Sequence, residues 1–492
     1  MTGEGMAERG ASDAIDAIDV NAAIAALRRI LPERGLLMSD EELRPYECDG
    51  LTAYRQMPLL VALPETEAQV VAVLRLCQEI GLPVVARGAG TGLSGGATPV
   101  RQGLVLSLAK FMRILEVDPV ARTARVEPGV RNLAISEAAA RFGLYYAPDP
   151  SSQIACTIGG NIAENSGGVH CLKYGLTVHN VLRLRVALID GEVIEIGGGA
   201  LDSPGFDLLA LMIGSEGMLG VVLEATVKLT PKPLLAQVVM ASFGDVVSAG
   251  NAVARIIAAG IIPAGLEMMD RAATAAVEAF VHAGYDLSAA AILLAESDGT
   301  PEEVAEEIAA MRAVLEAAGA GDVRVSADEA ERLKFWAGRK AAFPAVGRIT
   351  PDYMCMDGTI PRKRVAEMLT RIEEFSEEFG LRCANVFHAG DGNLHPLIMF
   401  DANIPGETER ATGFGARILE LSVEMGGTIT GEHGVGIEKV RQMCVQFSMR
   451  ELSLFQAIKA AFDPDALLNP GKAVPTPRRC SEYRLTGTPG AH

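Results

Sequence analysis

The segment "RGAGTGLSGG", residues 87–96, constrains the fold more than any other stretch. It contains Gly90-x-Gly92-x-x-Gly95, the spacing of a dinucleotide-binding loop. In a doubly wound nucleotide fold that loop opens directly into a helix whose N-terminus meets the pyrophosphate. Here the chain continues as "GATPVRQGLVLSL", with Pro99 and Gly103 ahead of an apolar strand pattern. No helix follows on which a phosphate could sit. A Walker loop is excluded too, because no Gly-Lys-Ser/Thr follows. What remains is a run of backbone N–H groups able to curl around an anion. Taken alone, the same run has a flexible turn as its rival reading.

Two further segments share this character. "PDPSSQIACTIGGNIAENSGGVH", residues 148–170, concentrates Gly159, Gly160, Asn161, Asn165, Gly167 and Gly168, which let backbone approach a ligand closely. "IGSEGMLGVV", residues 213–222, is the third. Around them, "LLVALP" and "TARVEPGV" read as strands, and "ETEAQVVAVLRLCQEIG" as a helix ending at Gly81. "VLRLRVALIDGEVIEIG" reads as a hairpin turning at Asp190-Gly191. Residues 148–175 are expected to be irregular. "TPKP", residues 230–233, marks a boundary. Beyond it, strands alternate with long helices over 301–317, 327–341, 361–379 and 406–426. That pattern predicts an α+β unit with an antiparallel sheet covered by helices. The expected organisation is a helical N-terminal segment (1–54, with a helix over 12–31), a first domain (55–233), a second domain (234–435) and a C-terminal segment (436–492) returning to the first, whose stretch 462–483 reads as proline-rich and loop-like.

The formal charge of −18 argues against a nucleic-acid partner, which needs a basic face. No apolar run is long enough to span a bilayer. The start, "MTGEGMAERGASDAIDAID", lacks a basic n-region and apolar core, so a cytoplasmic location is expected. Eight cysteines are scattered with no C-x-x-C pair. Neither an iron–sulfur cluster nor a structural zinc is signalled, and reduced thiols are expected.

A second signal lies in "HAGDGNLH", residues 388–395. It reads as strand, turn, strand. If His388 and His395 stand opposite one another, their Cβ atoms are about 4.5–5.5 Å apart and both imidazoles can reach one metal ion. "TGEHGVG", residues 430–436, offers Glu432 as a carboxylate ligand beside His433. Neighbours on a regular strand point to opposite faces, so both serve one site only if this segment is irregular or the substrate lies between them. Two histidines and one carboxylate leave open positions for a chelating substrate. A lone histidine is usually structural; three of the seven gathered in two glycine-flanked motifs reverse that preference.

The three small-residue segments, in this order, resemble the FAD-binding domain of vanillyl-alcohol-oxidase-type flavoproteins. The resemblance implies a two-lobed FAD domain followed by an α+β substrate domain with an antiparallel sheet. It implies that Arg87, Gly88, Ala89, Gly90, Thr91, Gly92, Leu93 and Ser94 cradle the cofactor. Pro128, Gly129, Pro148, Asp149, Ser152, Thr157, Gly159, Gly160, Asn161, Asn165 and Gly168 are implied alongside them, with Glu216, Gly220, Val221 and Asn469. Some members bind flavin covalently through a histidine in or near the first loop. "RGAGTGLSGG" has no His or Cys, so FAD is expected to be non-covalent.

"HAGDGNLH" and "GEHGVG" resemble the C-terminal domain of FAD-linked 2-hydroxy-acid dehydrogenases, which act on D-lactate, D-2-hydroxyglutarate or glycolate. "FWAGRKAAFPAVGRITPDYMCMDGTIPR" and "LLNPGKAVPTPRRCSEY" are most similar to the glycolate-oxidising members. The resemblance implies that His388, His395 and Glu432 hold a divalent ion, Zn or Mn, that His433 is the general base, and that Arg339 grips the substrate carboxylate. Lys340 and Arg348 are rivals for that last role. Phe343, Cys355 and Leu397 depart from the D-2-hydroxyglutarate enzymes, which have Thr, Lys and Asn there, so a small 2-hydroxy acid is expected. A second flavin subunit and an iron–sulfur subunit are implied as partners, with membrane contact only through them. The alternatives are a stand-alone D-lactate dehydrogenase and a non-catalytic flavin relay. The relay would not need the histidine motifs.

Overall fold

The computed structural model describes residues 18–199, 204–476, 479–481 and 483. The start of the expected first helix lies outside them; its described part is Val20–Ile30, capped by Asp19. The first lobe has a small sheet in which Leu60–Ala62 and Val84–Arg87 both pair parallel to Leu104–Ser107. The helix Glu67–Ile80 packs on it, opened by a Thr66/Gln69 capping box and closed by left-handed Gly81. After Arg87 the glycine loop runs without a helix to Leu104–Ser107. A five-stranded antiparallel sheet forms the second lobe, with Val221–Lys228 at its centre.

Residues 148–175 are less irregular than expected. They contain the helix Ile158–Glu164, whose Thr157 side chain accepts the Gly160 N–H. Gly159 and Gly160 are poor helix formers and hid it. The helix Met449–Phe462 was also not anticipated.

From Leu235 the chain builds an eight-stranded antiparallel sheet. Helices cover both faces. Val239, Ala241 and Phe243 pack with helices Val246–Ala258, Pro301–Ala317, Val365–Phe379 and Glu407–Glu424. Their neighbours Val238 and Met240 pack with Arg271–Val281 and Glu329–Lys340. Burial on both faces explains why strands such as "AILLAES" read as nearly continuous apolar runs rather than alternating ones.

Cys444 and Cys480 form a disulfide, Cα–Cα 5.2 Å, which corrects the expectation of reduced thiols throughout. Both side chains enter one core cluster, so proximity in space was not legible from spacing in sequence. The C-terminal segment reaches back to the first lobe: Leu468 bridges to Val84. Asn469 Nδ2 donates to the carbonyls of Gly96 (3.0 Å) and Glu216 (2.6 Å). Lys472 Nζ donates to the carbonyls of Gly96 and Thr98.

Candidate active site

A cavity of about 500 Å³ takes part of its wall from each small-residue segment. The first contributes Arg87 through Leu93. Pro128 follows, then Ser152, Thr157, Gly159, Gly160 and Asn161, and then Glu216, Gly220 and Val221. The remaining wall includes Lys340, Phe343, Tyr353, His395, Glu432 and His433. Other expected cofactor residues stand behind the wall. The Ser94 carbonyl accepts the N–H groups of Ile437 and Glu438. Pro148 accepts from Asn132, Asn165 accepts the Val178 N–H, and Asp149 binds His170. Gly129 packs on the backbone of Leu108 and Phe111, and Gly168 on that of Asp149. Asn469 holds the first and third segments together, as described above. A volume in this range and a wall of glycines suit an elongated cofactor approached by backbone.

His388 ends the strand Cys383–His388 and Asn393 begins the strand Asn393–Phe400. The register pairs His388 with Asn393 and Val386 with His395. The two histidines are therefore diagonal neighbours on one face, not directly opposed. The cause is the turn, which closes the ladder at His388–Asn393, two pairs before His395. Asp391 Oδ1 accepts the Asn393 N–H at 3.0 Å. Gly392 has φ +81°, and a Cβ there would strike the Ile360 carbonyl oxygen. The diagonal still lets the imidazoles meet, with ring centroids 5.0 Å apart at 82°.

Glu432 Oε1 lies 3.1 Å from His388 Nε2 and 3.2 Å from His395 Nε2. Ligands about 2.0–2.1 Å from a tetrahedral ion are about 3.3 Å apart, so these separations fit one ion. Neither ring nitrogen of His395 has a partner in hydrogen-bond geometry, although the residue is buried. A buried imidazole left without a hydrogen-bond partner beside a carboxylate has room for a ligand between them, and an ion or a water fits that place. Burial disfavours charge on His388, but Glu267 and Glu432 outweigh it and hold its pKa well above the ordinary value. A proton there answers the same convergence of negative charge that a divalent ion would.

Two carboxylates not singled out in the sequence build this geometry. Glu267 Oε1 is 2.7 Å from His388 Nδ1 and fixes the imidazole from behind. Asp357 accepts the backbone N–H groups of Gly431, Glu432 and His433, together with Thr430 Oγ1 and Lys439 Nζ. Five donors fill a carboxylate, so Asp357, though 3.5 Å from His395, anchors the "GEHG" segment rather than serving as a ligand. Burial would raise its pKa; Lys439, His433 and His395 reverse that and hold it well below the usual range. This anchoring makes residues 431–434 irregular, so Glu432 and His433 both face the cavity. His433 stacks on His395 at 4.8 Å and 4°. Burial lowers its pKa to about 4, which leaves it neutral and able to accept a proton at neutral pH.

A signal for Glu267 existed. In "LEMM" and "LLAES", Glu267 and Glu296 take inward positions of doubly buried strands, where an apolar residue is the default. Arg339 is placed differently from expectation. It is 1% exposed, its Nε donates to Glu267 at 2.6 Å, and its Nη2 is 3.5 Å from His388 Nδ1. It does not line the cavity; Lys340 does. The physical reason is that Glu267, buried on the same face, claims the guanidinium.

Residues 58–197 match the FAD binding domain family, and residues 232–473 match the C-terminal domain of FAD linked oxidases. The glycolate oxidase subunit GlcD of Escherichia coli (strain K12) is 61% identical over 470 residues, covering 96% of this chain and 94% of that protein. A D-lactate dehydrogenase of Anaerostipes hadrus is 34% identical, covering 91% and 96%. Among solved structures, p-cresol methylhydroxylase shares the fold at TM-score 0.79 and 19% identity, over 93% of this chain and 98% of that one. With the glycine-lined cavity on one side and these matches spanning both halves, the chain belongs to the FAD-linked oxidases and is an FAD-dependent oxidoreductase.

Proposed function

We propose that this protein oxidises glycolate, or a 2-hydroxy acid little larger, to the corresponding 2-oxo acid. The observation that carries the reading is the shared cavity: the glycine segments and the His395–Glu432–His433 group line the same space. FAD would supply the hydride acceptor here, and a divalent ion, which His388, His395 and Glu432 would hold, would supply the charge that acidifies the substrate hydroxyl. His433 accepts the hydroxyl proton. Glu267 orients His388, and Asp357 holds Glu432 and His433 in place. Lys340 presents positive charge to the substrate carboxylate, while Arg339 acts behind the wall through Glu267 and His388. Phe343 lies edge-on to both His395 (6.5 Å) and Tyr353 (6.1 Å), an aromatic wall that leaves little room for a second carboxylate. Electrons then pass to a second flavin subunit and an iron–sulfur subunit, and membrane contact lies in those partners.

Anaerobic addition of glycolate is expected to bleach the flavin, with D-lactate slower and D-2-hydroxyglutarate slowest. Bleaching by D-2-hydroxyglutarate but not by glycolate would overturn the assignment.

The flavin is expected to be released by acid precipitation. Cys156, the cysteine in the cavity wall, is hydrogen-bonded with Asn161, and burial raises its pKa. A thiol held protonated is a poor nucleophile toward flavin. Colour retained in the protein pellet would refute non-covalent binding.

A further inference from the structure

Outside the cavity wall, His170 lies between two carboxylates from different halves of the chain. Its Nδ1 is 2.8 Å from Asp149 Oδ2, and its Nε2 is 3.1 Å from Glu296 Oε1. Asp149 directly precedes Pro150, Ser151 and Ser152 of the cavity wall. It also accepts the His170 backbone N–H through Oδ1 at 3.1 Å. That double grip requires Gly168, whose φ is +152° and whose Cβ would lie 2.5 Å from the Asp149 carbonyl carbon.

Glu296, on the strand Ala291–Gly299, is 2% exposed. Its Oε2 accepts Arg332 Nη1 at 2.8 Å and Trp336 Nε1 at 2.5 Å. These two donors are one turn apart on the helix Glu329–Lys340. A turn further along, the same helix carries Arg339 and Lys340. Arg339 holds Glu267, and Glu267 holds His388. Glu267 and Glu296 lie on paired strands, with Gly265 opposite Glu296. One helix is thus strapped by one carboxylate to His170 and by the next to the histidine cluster.

We propose that His170 is a positioning residue: a charged latch that docks the substrate half onto the flavin-side loop and sets the helix bearing Arg339 and Lys340. The latch rests on these contacts; only its kinetic readout rests on the proposed reaction. Burial alone would strip the ring of its proton, but Asp149 and Glu296 keep it on, and the pKa stands well above the ordinary imidazole value. The other charged groups packed here are Arg332, which shares Glu296, Glu329, which pairs with Arg332, and the neighbouring Lys173–Asp298 pair; Tyr145, Tyr174 and Cys171 are the titratable groups beside them. A raised pKa in the docked state means the contribution of this charge to docking is complete below the ordinary imidazole pKa of about 6.5 and is lost as pH rises from there through the raised value.

The test uses the full-length, FAD-loaded protein with His170→Gln, and Trp336→Phe as a milder second variant that keeps an aromatic side chain and removes one donor. Hydrogen exchange of residues 329–340, FAD content and anaerobic flavin reduction by glycolate are measured between about pH 6 and 10. Loss of a charge-assisted hydrogen bond predicts that His170→Gln speeds exchange in that helix by about tenfold or more and raises half-saturating glycolate by about tenfold. FAD content should hold, and the alkaline fall in wild-type reduction should vanish. Trp336→Phe should shift exchange the same way by less. Unchanged exchange in either folded variant would overturn the latch, as would activity lost only in proportion to FAD. Wild-type protein that fails to reduce its flavin with glycolate would instead sink the substrate reading, because exchange needs no substrate.

Discussion

Replacing His433 with asparagine is expected to leave a yellow protein that binds glycolate but reduces its flavin about 10²–10⁴-fold more slowly, the usual worth of a general base. That range corresponds to about 3–5 kcal/mol of transition-state stabilisation. His433 is the natural proton acceptor on three grounds. It lines the cavity with Glu432 and His395. Its Nδ1 is buried without a partner, so the ring is not committed to a structural hydrogen bond. Its Nε2 is 3.9 Å from Glu432 Oε1, further than either proposed histidine ligand.

The pH dependence follows from the sign of the shift. Burial holds the His433 pKa at about 4, so above that pH the ring is already a free base and wild-type reduction should vary little with its titration. A base this weak cannot by itself deprotonate an alcohol whose pKa is near that of water, about 15.7; it succeeds only where the hydroxyl is acidified toward about 7. In His433→Asn, hydroxide or solvent must take the proton, so the residual rate should climb with pH. Stopped-flow reduction across neutral pH distinguishes the cases. A reduction rate equal to wild type would leave His433 with no chemical role, and loss of bound metal in this variant would move it among the ligands.

The sequence was informative where a single short segment carries the whole signal. The glycine loop's lack of a following helix excluded the doubly wound fold, and "HAGDGNLH" with "GEHG" located the histidine cluster. It was mute where the signal is split between distant segments. Nothing local links Asp357 to Gly431–His433, Asn469 to Gly96, or Cys444 to Cys480, since each pairing exists only once the sheet and tail are folded. Arg339 shows a different limit: the resemblance pointed to this helix residue as the grip on the substrate carboxylate, but Glu267, which claims its guanidinium, lies on a strand far away in sequence. Diagonal placement of His388 and His395 was likewise a matter of register, which the turn sets and composition does not reveal.

Replacing His395 with alanine is expected to abolish divalent-ion binding and lower flavin reduction by on the order of 10³ or more, while FAD remains bound. His395 is the cleanest of the three positions to change. Both of its ring nitrogens lack hydrogen-bond partners, so its removal strands no protein group in the ion-free protein. His388→Ala is less clean, because Glu267 would lose the imidazole that holds it and keep only Arg339. Glu432→Gln preserves shape and removes the charge on which both imidazoles converge. The FAD-binding segments take no hydrogen bond from His395, so colour should survive. A readout independent of turnover follows from linkage: an ion at about 100 times its dissociation constant stabilises the fold by about 2.7 kcal/mol. Chelation should therefore lower the melting temperature of the wild type and leave that of His395→Ala unmoved. Metal analysis is decisive: ion content unchanged in both His395→Ala and Glu432→Gln would mean that the convergence of His388, His395 and Glu432 is a proton-sharing cluster and not a metal site.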